Sequence, residues 1–268
     1  MSPSLHTEIH LEREICQHLA ENGWLHSPDD AGYDAALALF PDDVAAWVRA
    51  SQPDAWHTLE KNHGPKATQA LCQRLRACLD HSGTLEVLRK GIDMIGLRGT
   101  LAMAQLLKPA LGELNPDSLA KYGANRLRVV QQVRYSLHNR NCLDLALFLN
   151  GIPVATAELK TDFTQSVQDA IEQYKADRQP QPKGQAAEPL LAFFGGALVH
   201  FAVSNAEAWM ATKLAGPATV FLPFNRGTDL GNGHTGAGNP PNPHGHPTAY
   251  LWERIWQRDT WLELLGRY

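Results

Sequence analysis

The chain lacks most of the features that would assign it to a special class. Of its 268 residues only four are cysteine, Cys16, Cys72, Cys78 and Cys142, and no pair has the Cys-x2-Cys spacing of a zinc site. They are expected to be reduced thiols of a cytoplasmic protein. No apolar run is long enough for a transmembrane helix, and the opening residues have neither the basic start nor the apolar core of a secretion signal. A Gly-x4-Gly-Lys-Ser/Thr phosphate loop is missing, which excludes a P-loop nucleotide site. No internal repeat occurs, so a solenoid is excluded. Basic residues are not in excess: 24 Lys and Arg against 28 Asp and Glu leave a formal charge of −4. A chain of that sign does not grip nucleic acid by overall charge, so any such contact needs a local basic cluster or other domains or chains.

What remains is an ordinary globular composition, 44% hydrophobic and 19% charged, sized for one large domain or two small ones. Leu11, Ile15 and Leu19 recur at helical spacing with Cys16 beside them, and Gly23 is a natural stop. Residues 30–120 read as mostly helical, with residues 35–40 and 67–79 as examples, punctuated by Gly, Pro and Asp. The character changes near Asn125. Residues 127–135, 142–149 and 154–159 read as strands, 167–176 as a helix, and 197–203 and 219–222 as further apolar β-type runs. That order describes an α/β fold with a mixed sheet flanked by helices. Residues 225–247, dense in Gly, Pro and Asn, read as a loop or linker, and residues 250–268 as a tryptophan-rich helix with Trp252, Ile255 and Trp256 on one side.

The most informative stretch is 143–160. Asp144 stands inside an apolar strand, the chain turns at Asn150-Gly151, and a second apolar strand runs into Glu158-Leu159-Lys160. Charged groups in such a setting are costly unless partnered. Two carboxylates converging on one sheet face suit a magnesium ion, which takes hard oxygen ligands and keeps several waters. The ion can acidify a bound water, and a lysine two residues along the same strand can orient that water or stabilise charge on a phosphate. The geometry depends on the hairpin. A two-residue turn pairs Leu149 with Ile152 and, continued, sets Asp144 opposite Ala157 with Glu158 on the other face. A three-residue loop pairs Leu149 with Pro153 and sets Asp144 opposite Glu158, with Lys160 on the same face. The proposed chemistry therefore predicts either the three-residue register or a bulge.

The hairpin resembles the nuclease core of the PD-(D/E)xK superfamily. More narrowly, the chain resembles the N-terminal domain of the R subunit of type I restriction enzymes. That resemblance rests also on Val199-His200-Phe201-Ala202-Val203-Ser204, Met210-Ala211-Thr212-Lys213-Leu214-Ala215-Gly216, Phe221-Leu222-Pro223-Phe224-Asn225-Arg226-Gly227, Gly238-Asn239-Pro240 and Tyr250-Leu251-Trp252-Glu253. It runs from the first helix to the end of the chain.

The resemblance implies a restriction-endonuclease-like fold over residues 1–224, with a helical part at 1–122 and a sheet core at 123–224. Residues 225–268 would then lead as loop and helix toward a helicase-like motor domain outside this chain. It implies an endonuclease that cuts double-stranded DNA with Mg2+, for which Mn2+ can substitute, with Asp144 and Glu158 as metal ligands and Lys160 as the catalytic lysine. ATP would serve only the motor, and methylase and specificity subunits would complete the complex. Two departures stand out. Leu143 occupies the position of the proline before Asp144. The Gln-x-x-x-Tyr motif of many relatives is broken, because Ala170 precedes Tyr174 at that spacing, and Gln173-Tyr174 is the nearest match for the accessory role.

Glu12 on the first helix, with Glu8 and Glu14 as competitors, is a candidate further ligand or hydrogen-bond partner. Lys175 and Arg178 are candidates for phosphate contact or for a basic helix end. His234, His244 and His246 crowd the Gly/Pro loop without a scaffold for a metal, and His200 reads as a core histidine. Trp252, Trp256 and Trp261 read as packing residues rather than base-stacking ones. Two other functions remain open from the residues: a repair or recombination nuclease with the same three catalytic residues, or a docking module with little activity in isolation.

Overall fold

In the computed structural model, which describes residues 3–109, 116–161, 165–229 and 235–268, the chain begins with helix α1 (Pro3–Glu21). Its stripe of Leu11, Ile15, Cys16 and Leu19 is buried, and Gly23 in the left-handed region ends it. Short strand β1 (Leu25–Ser27) follows, then helices α2 (Pro41–Ser51), α3 (Pro53–His63), α4 (Ala67–Ser82) and α5 (Thr84–Lys90). Pro41 and Pro53 each stand at the first helical position, where the missing N–H costs nothing. A small ribbon of β2 (Ile92–Asp93) and β3 (Thr100–Leu101) and helix α6 (Pro116–Ala124) precede the main sheet strands.

Those strands are β4 (Leu127–Arg134), β5 (Cys142–Leu149) and β6 (Ile152–Leu159), followed by helix α7 (Val167–Asp177), β7 (Val199–Val203), β8 (Ala208–Ala211) and β9 (Leu222–Pro223). A second ribbon, β10 (Thr228–Asp229) with β11 (Thr235–Gly236), and helix α8 (Arg258–Arg267) complete the order. The sheet runs β1-β4-β5-β6-β7-β8-β9. β1 is parallel to β4 and β7 to β6, the latter across α7, while the other neighbours are antiparallel. Every residue of β6 is buried, as befits a central strand covered on both faces.

Two apolar layers enclose the sheet. One face packs on α1 to α5 and the C-terminal segment, with Leu145, Leu147, Ala155 and Ala157 pointing into it. The other packs on α7 and the segment before α2, through Ala146, Phe148, Phe40 and Ile171. This is the mixed α/β, restriction-endonuclease-like architecture that the resemblance implied. Among the described residues no helix is long and apolar enough to cross a membrane.

Four local expectations need correction. Residues 35–40 are not helical: Asp34 bridges Leu39 and its side chain accepts from the Leu37 amide, an Asp-centred turn that competes with helix. Residues 225–247 hold both strands of the β10–β11 ribbon rather than loop alone. Strand β8, around Trp209 and Met210, lies where no strand was expected, and the run at 219–222 contributes only Leu222 to β9. The tail is not one helix. A π-turn at Leu251–Ile255 breaks before Gln257, and this break turns Trp252, Trp256 and Trp261 all inward. Trp256 meets Phe201 at 5.5 Å between ring centres, and its carbonyl accepts from Trp24 Nε1 at 2.9 Å.

Candidate active site

The β5–β6 hairpin closes through a two-residue turn, Asn150 at φ 52 and Gly151 at φ 80, so that Leu149 pairs with Ile152. The tight turn is locked from outside. The buried Asn150 side chain accepts from the Arg126 amide at 2.7 Å and donates to the Met103 carbonyl at 2.9 Å. Gly151 is required, since a Cβ there would stand 2.5 Å from the Phe40 carbonyl oxygen. That turn alone would put Glu158 on the wrong face. A β-bulge corrects it: Phe148 pairs with Pro153 but Leu147 with Ala155, leaving Val154 as the extra residue. The shifted register continues through Ala146–Thr156 and Leu145–Ala157, so the next opposed positions are Asp144 and Glu158. Of the two devices expected from the sequence, the bulge is the one present.

Glu158 is buried and Asp144 half-buried beside it. Glu158 Oε1 accepts from Arg178 Nε at 2.5 Å, and the Arg178 guanidinium lies 5.9 Å from the centre of the Tyr135 ring. Among the described residues no donor reaches Glu158 Oε2, which faces the Asp144 carboxyl. Asp144 Oδ2 accepts from the Leu159 amide at 2.8 Å. Burial and then the neighbouring Asp144 charge push the Glu158 carboxyl well above the usual carboxylate range, against the opposing pull of Arg178.

Helix α1 closes the site from the other layer, at the end of the sheet. Glu12 accepts from Gln131 Nε2 at 2.8 Å and from Gln132 Nε2 at 3.1 Å. Its carboxyl is raised by burial and then by Asp144. Lys160 is nearly buried, with Nζ 3.7 Å from Glu8 Oε1. Of the competing helix glutamates, Glu8 and Glu12 both border the site, while Glu14 meets His246 at 3.4 Å instead. Gln131 and Gln132 were missed in the sequence; a polar pair inside a Val-rich strand is the signal that marks them.

The α7 candidates separate. Tyr174 is buried and shares a 2.8 Å hydrogen bond with Thr156 Oγ1, which in turn meets His200 Nδ1 at 2.7 Å. Burial lowers the His200 pKa to about 3, so this core histidine is neutral. Gln173 is half-buried, and among the described residues no hydrogen bond joins it to Asp144, Glu158 or Glu12. Lys175 pairs with Glu172 at 3.2 Å. Arg178 turns inward onto Glu158, a buried ion pair that neither the phosphate-contact reading nor the basic-helix-end reading contained. His244 is exposed, His246 half-buried, and His234 lies outside the described residues.

Among the described residues no three His, Cys, Asp or Glu side chains converge closely enough to enclose a metal ion. A magnesium site does not require that, since the ion is commonly held by one or two carboxylates and keeps several waters. The orphaned Oε2 of buried Glu158, with the Asp144 carboxylate beside it, fits such a site. No curated protein matches the chain significantly. A family model described as the type I restriction enzyme R protein N terminus matches residues 7–219, and the chain belongs to that family.

Proposed function

We propose that this domain is the magnesium-dependent endonuclease module of a type I restriction complex and cuts the phosphodiester bonds of double-stranded DNA. One observation carries the proposal: the bulge brings the Asp144 carboxyl beside buried Glu158, whose Oε2 has no hydrogen-bond donor among the described residues. Two carboxyl groups held together in a buried setting repel unless a proton or a cation lies between them, and a cation would offset both.

Asp144 and Glu158 would hold the Mg2+, and Mn2+ is expected to substitute. When bound, the ion supplies an acidified water and offsets charge on the scissile phosphate. Arg178 holds Glu158 Oε1, which would leave Oε2 available to a bound ion. Lys160, two residues beyond Glu158, orients the attacking water or stabilises the charge that develops on the phosphate oxygens. Glu8 restrains the Lys160 Nζ from the α1 side. Tyr174 fixes α7 against β6 through Thr156, and so acts on the site indirectly.

The net charge of −4 fits a module that does not hold DNA by itself. The grip would come from a helicase-like, ATP-driven motor on the same polypeptide and from methylase and specificity subunits, in a cytoplasmic assembly. ATP would serve only that motor. The test is DNA cutting by the assembled complex with wild-type R protein or with Lys160→Ala. A loss of about 100-fold or more is expected from removing one transition-state donor, with subunit assembly unchanged. Cutting at the wild-type rate would end the assignment.

A further inference from the structure

Strand β4 turns over at one residue. Leu127 and Val129 face the α1 layer, whereas Val133 lies in the α7 layer, although residues an even number apart share one face of a regular strand. Between them stands Gln132 at φ 50, a left-handed conformation that Gly and Asn adopt more readily than Gln. Gln131 pairs with Leu145 and Val133 with Leu143, so Gln132 faces Asp144 outside the ladder. The consequence is that two successive side chains, Gln131 and Gln132, both donate to Glu12.

The Gln132 amide reaches further. Its Nε2 lies 3.1 Å from Glu12 Oε2 and 3.4 Å from Asp144 Oδ1, and its Oε1 accepts from Cys142 Sγ at 3.4 Å. The orientation is determined by its surroundings, because a half-turn of the amide would point its carbonyl oxygen at two carboxylates. One neutral nitrogen thus spans a carboxylate of α1 and a carboxylate of β5 that otherwise repel each other. Gln132 is exposed, so core packing does not account for its backbone state. Strain of this kind persists where the surrounding structure demands it, and functional sites are where it collects.

We propose that Gln132 is a positioning residue for a divalent-cation site, its left-handed backbone and two-proton amide aligning the Glu12 and Asp144 carboxylates. This rests on the metal-site assignment of Asp144 and Glu158. A shorter side chain would relieve the backbone but not span the gap, which is why the residue is neither Gly nor Asn.

The experiment titrates Mg2+ calorimetrically into the wild-type chain, Gln132→Gly and Gln132→Asn, with thermal unfolding of each. Gln132→Gly keeps the backbone and removes the amide. It should melt no lower than wild type yet bind Mg2+ about tenfold to a hundredfold more weakly, as outer partners of metal ligands do when removed. Gln132→Asn, whose shorter amide does not span the gap, should bind Mg2+ no better than Gln132→Gly. Wild-type affinity in Gln132→Gly overturns this proposal alone. Absence of saturable Mg2+ binding by the wild type overturns it together with the metal-site assignment.

Discussion

Arg178 Nε donates to one oxygen of Glu158 at 2.5 Å, while no donor among the described residues reaches the other oxygen of that buried carboxylate. The pair is almost completely shielded, with side-chain exposures of 6% and 0%. Breaking such a pair by removing one member leaves an uncompensated buried charge. Arg178→Met should therefore destabilise the domain by about 3–5 kcal/mol, and Arg178→Met with Glu158→Leu should recover most of it. Denaturant unfolding of the two variants measures this. A single-variant loss below about 1 kcal/mol would contradict a structural ion pair.

The acidic groups at the site also give a pH dependence of defined sign. Burial is the largest cause raising the carboxyls of Glu158, Glu12 and Glu8, and the Asp144 charge adds to it in each case. The folded chain then holds protons that the unfolded chain releases. The stabilisation is complete below the unfolded pKa and is lost as pH rises through the folded one. In metal-free buffer the melting temperature should fall as pH rises above the ordinary glutamate range, with a shallower slope in Glu158→Gln. Equal slopes in the two proteins would show that Glu158 does not titrate in that window. Mg2+ affinity should change in the opposite direction and rise with pH, because the ion takes ionised carboxylates.

Gly151→Ala tests the turn beneath the bulge. The position has φ 80, and a Cβ would meet the Phe40 carbonyl at 2.5 Å and Val44 Cγ2 at 2.7 Å. Backbone strain and clash together should lower stability by at least about 2 kcal/mol. An unchanged melting temperature would mean that the hairpin does not press on α2 as described.

The C-terminal segment is part of the core. Trp256 is buried against Phe201, yet its Nε1 has no hydrogen-bond partner among the described residues. Trp256→Ala should cost about 3–5 kcal/mol, whereas Trp256→Phe keeps most of the apolar burial and should cost distinctly less. Equal effects from the two substitutions would point to a polar role for the indole that the structure does not contain.

Much of this fold was legible because its signals are local. The stripe of Leu11, Ile15 and Leu19, the apolar strands and Asn150-Gly151 each carry their own periodicity or turn chemistry. Asp144, Glu158 and Lys160 stood out because charge in a buried strand needs a reason. The bulge at Val154 was one of the two devices the chemistry called for, and had no turn residue of its own to mark it. The backbone state of Gln132 was invisible for a similar reason: the polar pair marks the position, but nothing in Val-Val-Gln-Gln-Val signals a left-handed residue. The inward turn of Arg178 depends on where α7 lands against β6, and that is a tertiary fact. Residues 35–40 misled because an apolar Ala/Leu run imitates helix, while the deciding group, Asp34, lies just before it.

The central claim is that Asp144 and Glu158 together hold a divalent cation, and calorimetric titration of Mg2+ into the wild-type chain and into Asp144→Ala tests it most directly. The account predicts saturable binding by the wild type that disappears in Asp144→Ala, with Mn2+ behaving alike. Equal binding by the two proteins would place the ion elsewhere and contradict the account.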